Sequence, residues 1–479
     1  MMPDDAPDRI AEQTARVPEA SIPRLADETR WYAEHTALII STVKWAFLGG
    51  VAGLSVGVGT RAFLWCLNEG TAQAHRLDGT VFRHYYLLPF ALIACVWLIR
   101  TFAPDAKGHG TEAVIAAVHH DWGRVRWAVA PIKLLATVLT LAFGGSVGKE
   151  GPCAQIGASI TSLFADILKL SDVDRRRLVI CGIGAGFAAV FGTPISGAVF
   201  GIEVLYLGQI EYSVLFPCMV AGIVAHLVCG TAPPVPMLHE GLAGLGQIEI
   251  VLLSLLSGAV FGVMALLLIE TMRFLERSLR RFDSHPYWLA FAGGLVLILV
   301  YRFAGDRYSG LGTLTIAMSL AGTAKLFVLA FFVKILVTAV TLETGGSGGI
   351  VTPLFFIGAV GGAAIAHTFG LPEGVFAAFG FVALVAAGAN TPLAASVMAV
   401  EMLPAPVAVY AALSACTAFL IVGHRSVYAS QKLGVSKSAG LEVTLGVTIG
   451  SVRQRDLHVR EGSLTDRVMR ATAHWRRRR

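Results

Sequence analysis

Long apolar runs separated by short polar or glycine-rich breaks fill most of this chain. Read as helices entering a membrane, they cover about residues 36–68, 84–103, 128–143, 153–170, 178–207, 213–231, 248–275, 288–304, 324–342, 350–368, 373–389, 391–403 and 405–423. Several fall short of the ~20 residues that a spanning helix needs. Short, glycine-interrupted helices point to broken, tilted elements around a site rather than to a simple bundle. The expected organisation is a polar, partly amphipathic helix at 1–35, lying at the surface, and a first membrane repeat at 36–232. A connector at 233–247 carries Pro233-Pro234-Val235-Pro236, a second membrane repeat runs from 248 to 430, and a basic cytoplasmic tail from 431 to 479. The tail is too short and too charged to make a further domain of any size.

The two halves repeat. Gly144-Gly145-Ser146-Val147-Gly148 and Pro152, Ile156, Gly157 and Ala158 recur 201 positions on, as Gly345-Gly346-Ser347-Gly348-Gly349 and Pro353, Ile357, Gly358 and Ala359. Lys133 and Thr137 meet Lys334 and Thr338 at the same offset. A second block, Pro194 to Glu203, recurs at an offset of 198 as Pro392 to Glu401. Matching broken helices in two halves are what a transporter with its site at the repeat interface requires.

The break at Gly144–Pro152 holds the chemistry. Its glycines cannot sustain a good helix, and it sets Lys149 and Glu150 between apolar flanks, where an ionisable group costs at least ~2.5 kcal/mol. Irregular backbone at that depth must be enclosed by protein or line a watery cavity. The helix that restarts there turns its amide N–H groups into the gap, a ready site for an anion. The Glu150 carboxylate can fill that site itself and leave when an anion displaces it or a proton neutralises it, which makes one side chain a gate.

Composition agrees with a membrane protein. The chain is 479 residues long, 55% hydrophobic and 15% charged, against about 25% charged in soluble domains. The seven cysteines lie in or beside apolar runs and form no CxxC pair, so neither a disulfide framework nor a zinc site is suggested. The acidic start is unlike a signal peptide. Nine arginines against three acids between Arg453 and Arg479 read as a cytoplasmic end near anionic lipid, not as a nucleic-acid-binding tail.

Gly148-Lys149-Glu150-Gly151-Pro152 resembles the GxEGP signature of the CLC chloride channels and chloride–proton antiporters. Gly108-His109-Gly110-Thr111-Glu112 resembles the family's first anion-binding loop, Gly349-Ile350-Val351-Thr352-Pro353 its third, and His424-Arg425-Ser426-Val427-Tyr428 the element with its central tyrosine. The resemblance covers about residues 40–432. It implies an all-α polytopic fold with an inverted repeat, and a homodimer with one anion pathway per subunit in a bacterial-type inner membrane. Both termini would be cytoplasmic, and the paired C-terminal regulatory domain of many relatives would be missing. Glu150 is similar to the gating glutamate. Gly108, His109, Gly110, Lys149, Glu150, Gly151, Gly349, Ile350 and Val351 would offer the anion-binding loops, their amides donating to chloride, and Tyr428 its hydroxyl. Amides bind chloride weakly enough to release it. Chloride, with other small anions and protons, is the expected cargo in a lipid bilayer, with no cofactor, no metal and no enzymatic activity.

Two positions depart from the family pattern. His109 stands where a serine is usual; the reading taken is that its backbone amide does the work. Val204 stands at the inner proton-relay position and cannot carry a proton, which favours passive conduction, with proton-coupled exchange as the alternative. Glu203 and Glu401, which repeat one another, read as structural. Fluoride export is a more distant reading. An intramembrane serine protease, with Ser347 as nucleophile and His367 as base, needs those side chains in mutual reach. His119 and His120 read as exposed loop histidines rather than metal ligands.

Overall fold

The computed structural model describes residues 27–231, 242, 244–324, 329–452 and 457–476. Residues 1–26, most of the connector expected at 233–247, and Arg453, Arg455, Arg477, Arg478 and Arg479 of the tail lie outside the described residues.

The first half contains α1 (Asp27–His75), α2 (Leu88–Phe102), α3 (Thr111–His120), α4 (Val129–Ala142), α5 (Glu150–Ile167), α6 (Asp172–Phe191), α7 (Pro194–Glu203) and α8 (Leu215–Cys229). The second contains α9 (Gln247–Leu279), α10 (Pro286–Ala304), α11 (Thr313–Leu320), α12 (Ala330–Glu343), α13 (Val351–Phe369), α14 (Glu373–Ala389), α15 (Pro392–Met402) and α16 (Ala405–Ile421). The halves correspond helix for helix. α5 packs on α6 as α13 packs on α14, and α1 packs on α8 as α9 packs on α16. Among the described residues, six helical segments are long and apolar enough to cross a membrane: 32–75, 84–102, 212–229, 247–282, 286–304 and 351–369.

Local chemistry sets the breaks. The apolar run expected at 178–207 is two helices, because Gly192 ends α6 in the left-handed region (φ 71°) and Pro194 then opens α7. The second half does the same with Asn390 (φ 55°) and Pro392. A left-handed residue followed by proline at the first helical position stops one helix and starts the next. The boundary expected at residue 35 falls inside α1, which is continuous from Asp27 to His75. Short helices α3 and α11 carry no long apolar run, and the hydropathy pattern passed over both.

α6 and α14 are buried on nearly every side. Alanine and glycine make this close packing possible; a side chain at Gly358, for example, would strike the carbonyl of Gly380. α7 and α15 join the halves by exchanging caps. Glu203, the last residue of α7, accepts from the amides of Leu393 (2.9 Å) and Ala394 (2.7 Å) at the start of α15. Glu401 of α15 accepts from Ile195 (2.9 Å) and Ser196 (2.8 Å) at the start of α7. Each carboxylate thus meets the positive end of the opposite helix.

The segment expected as a basic tail from residue 431 begins as part of the body. β1 (Tyr206–Leu207) pairs in parallel with β2 (Lys432–Leu433), and Leu207, Leu433 and Ile449 form a small core of their own. Beyond it, β3 (Leu441–Glu442) pairs with β4 (His458–Val459), and α17 (Leu464–Arg476) follows.

Candidate functional site: a buried carboxylate among three converging loops

The two glycine breaks meet at the centre of the molecule. The Gly148 amide donates to the Gly349 carbonyl (2.6 Å) and the Gly349 amide to the Gly148 carbonyl (2.7 Å). Around this crossing, threonines one helix back hold each loop. The Ser146 amide donates to Thr341 Oγ1 (3.1 Å) and the Ser347 amide to Thr140 Oγ1 (3.0 Å). The hydroxyls of Ser146 and Thr338 pair at 3.1 Å, those of Thr137 and Ser347 at 3.2 Å. Each repeat therefore ties down the other's break.

The first loop joins them. Gly151 sits so close that a Cβ there would strike the His109 carbonyl and stand 2.9 Å from Gly349 Cα. Only glycine lets three backbones approach this closely. Lys133, fully buried on α4, donates to the carbonyls of Ala106 (3.0 Å) and Gly108 (2.6 Å) and fixes the loop from behind. Lys334 repeats this against Tyr308 and Gly310, both at 3.0 Å.

Glu150, the first residue of α5, is 1% exposed. Its Oε1 accepts from the Thr352 amide (2.9 Å) and its Oε2 from the Thr352 hydroxyl (2.6 Å), in the first turn of α13. A Cβ at Gly148 or at Gly349 would overlap the carboxylate. The carboxylate thus occupies a helix N-terminus, held by an amide and a hydroxyl with no partner among the ion pairs of the described residues. A helix N-terminus of this kind also suits a compact anion. Ile350 and Val351 are buried beside them, but the donors that reach Glu150 belong to Thr352. Lys149 caps the same break and is partly buried.

Towards the other end stand polar atoms with no partner among the described residues: His109 Nδ1, Tyr428 Oη and Glu112 Oε2, all buried. Glu112 Oε1 accepts from the Ser430 amide (2.9 Å) and hydroxyl (2.6 Å). Gly108, His109 and Glu112 line a cavity of about 1240 Å³ whose wall also carries Arg273, Arg277 and His424. Val204 is fully buried, and its carbonyl accepts from Gln431 Nε2 (2.8 Å). The cap exchange accounts for neighbouring Glu203.

Thr352 and Glu112 escaped the sequence reading as site residues, although both lie inside motifs it singled out. His119 and His120 lie at the end of α3 rather than in a loop. His119 Nε2 meets the Leu205 carbonyl at 2.9 Å, which gives it a tethering role. Ser347 and His367 are not hydrogen-bonded to each other; Ser347 pairs with Thr137, and His367 Nδ1 with Glu373 at 2.7 Å.

Residues 90–423 match the family model described as voltage gated chloride channel. This chain belongs to the CLC family. It is accordingly an integral membrane protein of anion transport. A "Chloride/fluoride channel protein" of Pseudomonas syringae pv. tomato is 35% identical to this CLC chain over 413 residues, 84% of this chain and 90% of the relative. The crystal structure of a CLC-type fluoride/proton antiporter superposes with a TM-score of 0.75 at 27% identity, covering 82% of this chain and 98% of that one. A slow cyanobacterial Cl−/H+ antiporter shares the fold, with a TM-score of 0.68 at 23% identity over 79% of this chain and 94% of that one.

Proposed function

We propose that this protein exchanges a small halide for protons, with Glu150 as the side chain that both ions use. One observation carries the reading: the Glu150 carboxylate rests on the Thr352 amide and hydroxyl, donors suited to a halide. Anion and carboxylate then compete for one helix end. A proton that neutralises Glu150 weakens its hold there and lets the halide in. Chloride is the first cargo. Fluoride is the second, because an amide and a hydroxyl suit a hard acceptor and two relatives bear fluoride in their names.

Coupling needs a proton entry on the side opposite the gate. Glu112 is suited to provide it, because it lines the cavity, one carboxylate oxygen is buried without a partner, and the other is held by Ser430. Passive conduction, the expectation from Val204, is the second reading, and the buried, non-titratable Val204 favours it. The same proposal places two copies per assembly in a bacterial-type inner membrane with both termini cytoplasmic, and needs no cofactor.

The test is halide efflux from proteoliposomes with simultaneous recording of external pH. Proton uptake driven uphill by a chloride or fluoride gradient is expected, abolished by Glu150→Gln and reduced at least tenfold by Glu112→Gln while halide flux persists. Halide flux without proton movement in the unmodified protein would establish passive conduction instead.

A further inference from the structure

One cluster of chemistry lies outside the anion pathway and is absent from the sequence reading, which expected no metal. His75 ends α1, Asp78 lies in the following turn, and His84 opens the 3-10 turn that leads into α2. His75 Nδ1 stands 3.1 Å from Asp78 Oδ2, and His84 Nδ1 stands 2.9 Å from Oδ1 and 3.1 Å from Oδ2. All three donor atoms lie within 4.8 Å of one another. In a tetrahedral site with zinc–ligand bonds of ~2.0–2.1 Å, neighbouring donors are about 3.3–3.4 Å apart. The two histidine–carboxylate edges are therefore within a few tenths of an ångström of metal-site spacing. Only the edge between the two rings needs to close.

The surroundings already orient the ligands. The His84 amide donates to Asp78 Oδ1 (2.7 Å), aiming the carboxylate between the rings. Backbone bonds from Leu77 to Ala74, Asp78 to His75 and Gly79 to Phe82 fold the turn (3.0, 3.0 and 2.9 Å). The rings of His75 and His84 meet edge-on at 4.3 Å. His84 is buried, Asp78 is intermediate and His75 is exposed, so one face stays open for a metal and a water ligand. Two histidine–aspartate hydrogen bonds could hold the same groups together without a metal, and the titration described below separates the two cases.

The cluster also has a physical route to the gate. Tyr85, next to His84, packs on Gly144, where an added Cβ would lie 3.0 Å from Tyr85 Cβ. The Tyr301 hydroxyl donates to the Gly144 carbonyl (2.8 Å), and the rings of Tyr85 and Tyr301 meet edge-on at 5.7 Å. Gly144 begins the break that ends in Glu150.

We propose that His75, Asp78 and His84 form a site for a divalent transition-metal ion of the zinc class, and that its occupation slows transport by clamping α1 to the start of α2 and so stiffening the Gly144–Glu150 break. The full chain, purified and reconstituted, would be titrated with Zn2+ by calorimetry and with Co2+ by visible absorption, and halide efflux measured with Zn2+ on either face. The expected result is one ion per chain, a tetrahedral Co2+ spectrum, and efflux slowed at least threefold. His75→Ala, at an exposed position, and Asp78→Asn should each weaken binding at least tenfold and remove the slowing, while His120→Ala changes neither. Binding that survives His75→Ala and Asp78→Asn together, or no binding at millimolar Zn2+, would overturn the site. Binding lost in the variants but without effect on wild-type efflux would overturn the link to the gate.

Discussion

Thr352 is the residue that holds the Glu150 carboxylate in place. A hydrogen bond to a charged group contributes about 1.5–3 kcal/mol, so the hydroxyl it gives Glu150 accounts for roughly tenfold or more in how long the carboxylate stays seated. Thr352→Val keeps shape and amide but removes that donor. Halide efflux from proteoliposomes is expected to rise by up to about tenfold, and a slower or unchanged rate would mean that leaving this bond does not limit transport. Glu150 stands out in the sequence because a carboxylate between apolar flanks has a high cost and few structural uses. Thr352 sends no such signal, since a threonine at the start of an apolar helix costs nothing. Glu112 is equally silent: its significance is one oxygen without a partner, a property of the packed neighbourhood and not of the residue type.

At the scale of elements, the exchange of caps between α7 and α15 explains why both halves keep a glutamate at the same place. Losing a cap costs about 1 kcal/mol or more, and stripping a partner from buried amides adds to that. Glu203→Ala is therefore expected to lower the melting temperature of the detergent-solubilised protein by several degrees and to leave the halide-to-proton ratio unchanged. A changed ratio would show that Glu203 handles protons after all. Most helix positions were legible in the pattern of apolar runs, because residues that face lipid or a helical core must be apolar. The split at Gly192–Pro194 was missed because Thr193 and Pro194 interrupt the apolar run too briefly to show. α3 and α11 were missed because eight- to ten-residue helices produce no long run.

At the scale of the whole molecule, pseudo-symmetry distributes support equally and function unequally. Lys133 and Lys334 each hold a loop by two carbonyls, but only the Lys133 loop joins the three-way crossing at Gly151. Lys133→Met should therefore reduce halide flux at least tenfold, whereas Lys334→Met should retain most of it. Size-exclusion profiles would establish that both variants fold, and equal losses would refute the asymmetry. The C-terminal segment belongs to this scale too. Gln431 spans the ends of α7 and α14 through the carbonyls of Val204 (2.8 Å) and Ala389 (2.7 Å), so the start of the C-terminal segment ties both halves together near Tyr428.

By itself the sequence determined that this chain is a membrane protein of two repeated halves, broken at matching glycine stretches, with a glutamate at the first break. Those features follow from local rules: apolar length, the conformational reach of glycine, and the cost of a buried charge. The tertiary structure alone decided which donors hold that glutamate and which repeat's carboxylate caps which helix. These depend on distances between segments up to about two hundred residues apart, and such distances are set by how α5, α13 and their neighbours pack, which no local pattern in the chain encodes.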